Sequence, residues 1–261
     1  MNKRNKNNKP LSFMVCGYER GGTTLISEVL KQHPMLNSGF EGGFLLTENI
    51  PDFLNFEPYY TNFKRGWKCD EVSMSYICQA NSWIGIYKRV VECSPIIENK
   101  DSWIFDKTPK YMEHLPNVLE KIPEVPCIVI VRDPRSVLYS WAKRSNLTKE
   151  EWVKRVLKSA SQRYISYAQG YRKALEKGFS CRILLVQYEN ICINPTLEFK
   201  KIFEFIDFEF DDKYLSFQSI FSNVHGSKIS NSYLKEYKDN FSKETCKSIL
   251  EITKDFSEWF W

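Results

Sequence analysis

Short, uninterrupted apolar runs alternate with longer amphipathic stretches along this chain. Four runs, Phe13–Cys16, Trp103–Phe105, Cys127–Val131 and Arg182–Gln187, carry few or no interior polar positions. Continuous rather than alternating apolar residues predict parallel strands covered on both faces. Helical spacing fills the intervals. Thr23–Gln32 stops before His33-Pro34, and Lys110–Lys121 lies between the second and third runs. Arg135–Arg144 starts from Asp133-Pro134, Lys149–Lys177 ends at Gly178, and Pro195–Ile206 follows the last run. Strands alternating with helices give an α/β fold with a mostly parallel central sheet flanked by helices. Residues 50–100 break the rhythm with many aromatics, Pro51, Pro58 and Pro95, and only weak helical spacing around Asp70–Lys88. They read as an insertion over the sheet edge within one domain spanning 11–261. Residues 1–10 read as a disordered basic tail, and Lys243–Phe256 as a helix near the other end.

Composition adjusts this picture modestly. A chain of 261 residues that is 43% hydrophobic can bury a substantial core. The net charge of +5 suits an anionic ligand, whereas nucleic acid requires a clustered basic face. No run of about 18 apolar residues predicts a membrane span, and no apolar core follows the N-terminal charges, so a cytoplasmic protein is expected. The eight cysteines, Cys16, Cys69, Cys78, Cys93, Cys127, Cys181, Cys192 and Cys246, form no CxxC pair and fit free thiols. His33, His114 and His225 are isolated, so no metal site is expected.

Chemistry concentrates at two places. Phe13–Gly17 leads into Tyr18-Glu19-Arg20-Gly21-Gly22-Thr23-Thr24-Leu25, a strand, a glycine turn and a helix start. Such a turn converges backbone N–H groups at the positive end of a helix and makes an anion cradle, with Arg20 adding charge and Thr23 and Thr24 adding hydroxyls. The Gly-Lys-Ser/Thr of nucleotide triphosphatases is missing, so binding of ATP with magnesium in the usual manner is not expected. The second place is Arg132-Asp133-Pro134-Arg135, with Ser140 and Arg144. Arg132 leaves the carboxyl end of a predicted strand, where open α/β sheets bind ligands. Ser140 and Arg144 share a helix face at i, i+4, so two guanidiniums and a hydroxyl can converge on a phosphate. A solvated basic helix with Arg132 paired to Asp133 or Asp106 is the plain alternative.

Taken together, these segments resemble the sulfotransferases, which move a sulfuryl group from 3'-phosphoadenosine 5'-phosphosulfate (PAPS) to an acceptor and leave PAP. Two more stretches agree with the family: Asp106-Lys107-Thr108-Pro109, and Gln187-Tyr188-Glu189-Asn190-Ile191 with Asn194-Pro195. The resemblance runs in order from Phe13 to about Lys213. It implies a P-loop-containing three-layer fold. Arg20, Gly21, Gly22, Thr23, Thr24 and Leu25 would grip the 5'-phosphosulfate, and Arg132, Ser140 and Arg144 the 3'-phosphate. Tyr188 would contact the adenine, while Ser227 and Lys228 would close over the nucleotide. Gly21 departs from the usual serine or threonine. The order Arg20, His33-Pro34, Glu41 is similar to the tyrosylprotein and bacterial carbohydrate-type enzymes. That likeness implies Glu41 as base, with Glu48 as fallback, and Lys107 on the bridging oxygen. The acceptor is expected to be a carbohydrate or small-molecule hydroxyl rather than protein tyrosine. No arginine occurs among Gly42, Gly43, Phe44, Leu45 and Leu46 just after Glu41, and Phe53, Phe56, Tyr59, Tyr60, Phe63 and Trp67 can stack on sugar rings, hold a lipid or phenol, or fill the core. A P-loop kinase and a non-catalytic nucleotide-binding protein are the rival readings.

Overall fold

The computed structural model describes residues 10–217, 229–232 and 234–259. Five strands form one sheet: β1 (Leu11–Gly17), β2 (Leu36–Asn37), β3 (Trp103–Lys107), β4 (Cys127–Val131) and β5 (Ile183–Gln187). Their order is β2-β3-β1-β4-β5, with every neighbouring pair parallel. Every residue of β4 is buried, as a continuous apolar run requires when helices cover both faces.

Side-chain alternation divides the interior in two. Met14 and Cys16 of β1, with Cys127, Val129 and Val131 of β4, face one core, while Phe13, Val15, Ile128 and Ile130 face the other. The second core is sealed by α1 (Thr23–Leu30), α8 (Tyr188–Ile193) and α9 (Pro195–Phe205), through Ile26, Val29, Ile191, Phe199 and Ile202. The first is sealed by α3 (Glu71–Cys78), α4 (Trp83–Cys93), α5 (Leu115–Lys121), α6 (Pro134–Ala142) and α7 (Lys149–Glu176), through residues such as Ile77, Val90, Leu119, Leu138 and Tyr164. Each fully buried aliphatic side chain contributes about 1.5–3 kcal/mol. α2 (Tyr59–Gly66) and α10 (Lys243–Thr253) complete the helices among the described residues. The result is a three-layer α/β sandwich.

The differences from the sequence reading are local. β2 is only two residues long and α8 six, too short for periodicity to register. The helix expected over Lys110–Lys121 divides into a 3₁₀ turn at Pro109–Met112 and α5, which has a proline in its first turn. Arg144 lies beyond the end of α6 rather than on it. Residues 50–100 fold into three α-helices, and four of their nine aromatics are core: Phe53, Phe63, Trp67 and Tyr87 are buried, with Phe63 stacked on Trp67 at 5.2 Å. Tyr60 donates to Glu71, and Phe56 stacks on Tyr59. The ring-stacking surface expected of this stretch is therefore mostly consumed by packing.

Candidate active site

The site lies along the carboxyl ends of the strands. β1 ends at Gly17, and the loop that follows turns through Arg20 and Gly22, both with left-handed backbone (φ 66° and 106°). Gly21 N–H closes that turn on the Tyr18 carbonyl at 2.8 Å, so its donor is used internally. α1 then begins at Thr23 with Gly22 as its N-cap and no side-chain cap. The amides of Gly22, Thr23, Thr24 and Leu25 are consequently the unsatisfied first donors of a helix, facing a position where an anion is favoured. Leu25 offers only this amide, since its side chain is in the second core.

Arg20 extends across the sheet and donates from Nε to Ser140 Oγ on α6 at 3.2 Å. Arg132, just past β4, donates to the Arg20 carbonyl at 3.0 Å and places its guanidinium 4.2 Å from the centre of the Tyr188 ring. Burial, together with the neighbouring charges of Arg144 and Arg132, pushes the Arg20 guanidinium down to about 10. Three cationic side chains thus crowd one place. Arg132 Nε is buried there without a hydrogen-bond partner among the described residues. Arg132 pairs with neither Asp133 nor Asp106. Asp133 is instead taken by Arg135 at 2.6 Å, and Arg135 also lies over the Tyr237 ring. Glu189, beside Tyr188, accepts from Asp133 N–H at 3.0 Å, and Tyr164 of α7 donates to the Arg132 carbonyl at 3.0 Å. Both fix the segment that presents Arg132.

A second chemical group sits on the other side of β1. Lys107 is the last residue of β3, and its Nζ stands 3.5 Å from Glu41 Oε1. The Glu41 and Lys107 side chains are 23% and 5% exposed, so the pair meets in a largely dry place. Burial raises the Glu41 carboxyl above its ordinary range against the opposing pull of Lys107, with Glu19 adding to the rise. Burial likewise lowers Lys107, against Glu41. Glu48 is exposed outside this pair and interacts with Lys121. A cavity of about 440 Å³ opens beside Lys107, walled by Thr24 and Glu28 of α1, Gly39, Phe40, Arg65 and Ile96.

The structure therefore gathers Arg20, Gly22, Thr23, Thr24, Arg132, Ser140, Arg144 and Tyr188 around the anion loop, and Glu41 with Lys107 beside it. Ser227 and Lys228 lie outside the described residues. Sequence reading overlooked Glu19, which receives Tyr167 at 3.0 Å and Arg163 at 2.5 Å from α7 and so tethers the loop. The Arg163, Tyr164, Tyr167 and Tyr171 stripe at helical spacing was the available signal. Among the described residues no three His, Cys, Asp or Glu side chains cluster as metal ligands, and no helix is long and apolar enough to cross a membrane.

A parallel sheet covered by helices on both faces, with a glycine turn and crowded guanidiniums at its carboxyl edge, is the arrangement of a class of α/β proteins suited to phosphate-like anions. A sequence profile described as the sulfotransferase family matches residues 12–212, and the chain belongs to that family. It is a sulfuryl-transferring enzyme. A Caenorhabditis briggsae protein assigned as a protein-tyrosine sulfotransferase is 25% identical over 270 residues, covering 92% of this chain and 85% of its own length. Among solved structures, the sulfotransferase domain of the Synechococcus olefin synthase superposes with a TM-score of 0.65 at 17% identity, covering 97% of this chain and 98% of that one. Mouse sulfotransferase SULT7A1, complexed with PAP, gives 0.54 at 13% identity over 96% of this chain and 85% of its own.

Proposed function

We propose that this protein transfers a sulfuryl group from PAPS to a phenolic hydroxyl of tyrosine type, with Glu41 as the base. The observation that carries the reading is the adjacency of two unlike groups: a cationic anion cradle around Arg20, and the dry Glu41–Lys107 pair at the next strand end. The donor set fits a nucleotide carrying phosphates at two places. Gly22, Thr23 and Thr24 would hold the 5' side, and Arg132, Ser140 and Arg144 the 3'-phosphate. The buried, unpartnered Arg132 Nε and the depressed Arg20 both call for an anion. PAPS, when bound, supplies an activated sulfuryl group on a phosphate leaving group.

The chain's own residues do the rest. Arg20 and Lys107 place positive charge where the leaving oxygen gains negative charge. Lys107, buried and held by Glu41, is fixed in position without needing reorganisation. Glu41 accepts the acceptor's proton, and its raised carboxyl makes it a better base near neutral pH than an ordinary glutamate. The cavity of about 440 Å³ beside Lys107 has room for a ring-bearing acceptor, with Phe40 as an apolar wall. A phenol is favoured over the expected carbohydrate on two grounds. Of the aromatics that would have stacked on sugars, Phe53, Phe63 and Trp67 are core and Phe56, Tyr59 and Tyr60 pack partly buried against it, and the Caenorhabditis relative bears a protein-tyrosine assignment.

The test is transfer of labelled sulfate from PAPS to a tyrosine peptide, a simple phenol and a sugar alcohol. Labelling of the phenols, with a loss of about 10²–10⁴-fold in Glu41→Gln at unchanged PAP affinity, is the expected result. Labelling of the sugar alone would return the acceptor to the carbohydrate class. Stabilisation of the protein by ATP with magnesium but not by PAP would replace the donor reading with the kinase.

A further inference from the structure

Asp106 is fully buried, yet it is not paired with the lysine beside it. Its carboxylate accepts four hydrogen bonds. Oδ1 receives Gly42 N–H at 3.2 Å and Thr108 Oγ1 at 2.7 Å, and Oδ2 receives the hydroxyls of Tyr87 and Tyr111, each at 2.7 Å. Two of those donors accept in turn from the loop that follows Glu41. Gly43 N–H donates to Thr108 Oγ1 at 3.1 Å, and Leu45 N–H to the Tyr111 hydroxyl at 3.4 Å. Three backbone amides just past Glu41 are thus tied to one short segment, Asp106–Tyr111, which also carries Lys107. Burial pushes the Asp106 carboxyl up and the four donors pull it back. With two of those donors already engaged as acceptors, the arrangement fits the ionised form, since a protonated carboxyl would waste one of these bonds.

We propose that Asp106 is a positioning residue: an ionised buckle that locks the Glu41 loop to the Lys107 strand end and sets the charge between them. The proposal rests on Glu41 being the base. Asp106 touches neither reacting group through its own carboxylate. It acts by fixing their separation across 66 residues of chain and by its field. The charged and titratable groups facing Glu41 are Lys107 and Asp106 from β3, Glu19 from the anion loop and Tyr59 from α2. Those facing Asp106 are Tyr87 from α4, Tyr59 from α2, Tyr111, Lys107 and Glu41. The Asp106 charge raises both the Glu41 carboxyl and the Lys107 ammonium. Its removal therefore lets Glu41 ionise at lower pH and lets Lys107 lose its proton at lower pH.

The experiment is the pH profile of kcat for Asp106→Asn beside the wild-type protein, with PAP affinity measured on each. The expected result is a kcat loss of about 10²-fold, the size a small misplacement of reacting groups produces. PAP affinity stays unchanged, and both limbs of the profile move to lower pH. A lower kcat with limbs unmoved would reduce Asp106 to packing and overturn the proposal, as would an unchanged kcat. Should Asp106→Asn fail to fold, Thr108→Ala decides. It removes the Gly43 tether and one of the four donors to Asp106 but keeps the carboxylate and its other three donors, so kcat falls with the limbs in place and Thr108→Ser restores it; an unchanged kcat would overturn the proposal. Glu41→Gln is run in parallel. Full activity in that variant would sink the base assignment itself, and a dead Glu41→Gln with an active, unshifted Asp106→Asn would sink only the buckle.

Discussion

Gly22 gives the sharpest test of how the anion loop is built. A Cβ placed there would lie 2.2 Å from Cδ2 and 2.6 Å from Cε2 of Tyr188, and the residue has φ 106°. Two costs follow for Gly22→Ala. Left-handed backbone strain on a residue with a side chain is about 1–2 kcal/mol. The clash adds about 1–3 kcal/mol, because the Tyr188 ring is buried beneath the Arg132 guanidinium and can yield only by giving up that contact. Gly178, just past α7, separates the two contributions. It has φ 83° but nothing within 4 Å of an added Cβ, so Gly178→Ala carries the strain alone. Urea unfolding should place Gly22→Ala about 2–5 kcal/mol below wild type, and Gly178→Ala about 1–2 kcal/mol below it. Isothermal titration should show PAP affinity falling only in the first, since displacing Tyr188 also displaces Arg132. Equal destabilisation of the two variants, or intact PAP affinity in Gly22→Ala, would refute this account of the loop.

Other outcomes follow from the same geometry. The rate should need Glu41 deprotonated and Lys107 protonated. With Glu41 raised and Lys107 lowered, activity should rise with pH through a midpoint above the ordinary glutamate range and fall again before the ordinary lysine range, and a pH–kcat profile checks both limbs. Arg132→Ala should weaken PAP binding by about 10–150-fold, the worth of a charge-assisted hydrogen bond at about 1.5–3 kcal/mol, and calorimetry measures it. PAP at 100 times its Kd should add about 2.7 kcal/mol of stability, a rise of roughly 5–11 °C in Tm that a chelator leaves unchanged.

What could be read from the sequence was whatever is local. β1, the glycine turn and α1 are contiguous, and Arg132 follows an apolar run that can only be a buried strand. The link from Arg20 to Ser140 spans 120 residues, and the Asp106 network joins residues 64 apart, so no spacing announces either. Residues 50–100 stayed ambiguous for a different reason. Aromatic side chains look the same in a list whether they line a pocket or fill a core, and only the packing of Phe44, Phe53 and Phe63 against one another decides. Arg144 was placed on a helix that stops two residues short of it; its charge still reaches Arg20 from the turn beyond.

The strand order has an evolutionary corollary. Arg132, Ser140 and Tyr188 follow β4 and β5, on one side of β1, while Glu41 follows β2 and Lys107 ends β3 on the other. Seven of the twelve residues that wall the cavity come from the single stretch of chain between β2 and β3, the rest from α1, the residue after it and Lys107. On the proposed reading, that stretch can diverge, or be exchanged between relatives as one cassette, to admit a new hydroxyl compound while the nucleotide grip across the sheet is inherited unaltered.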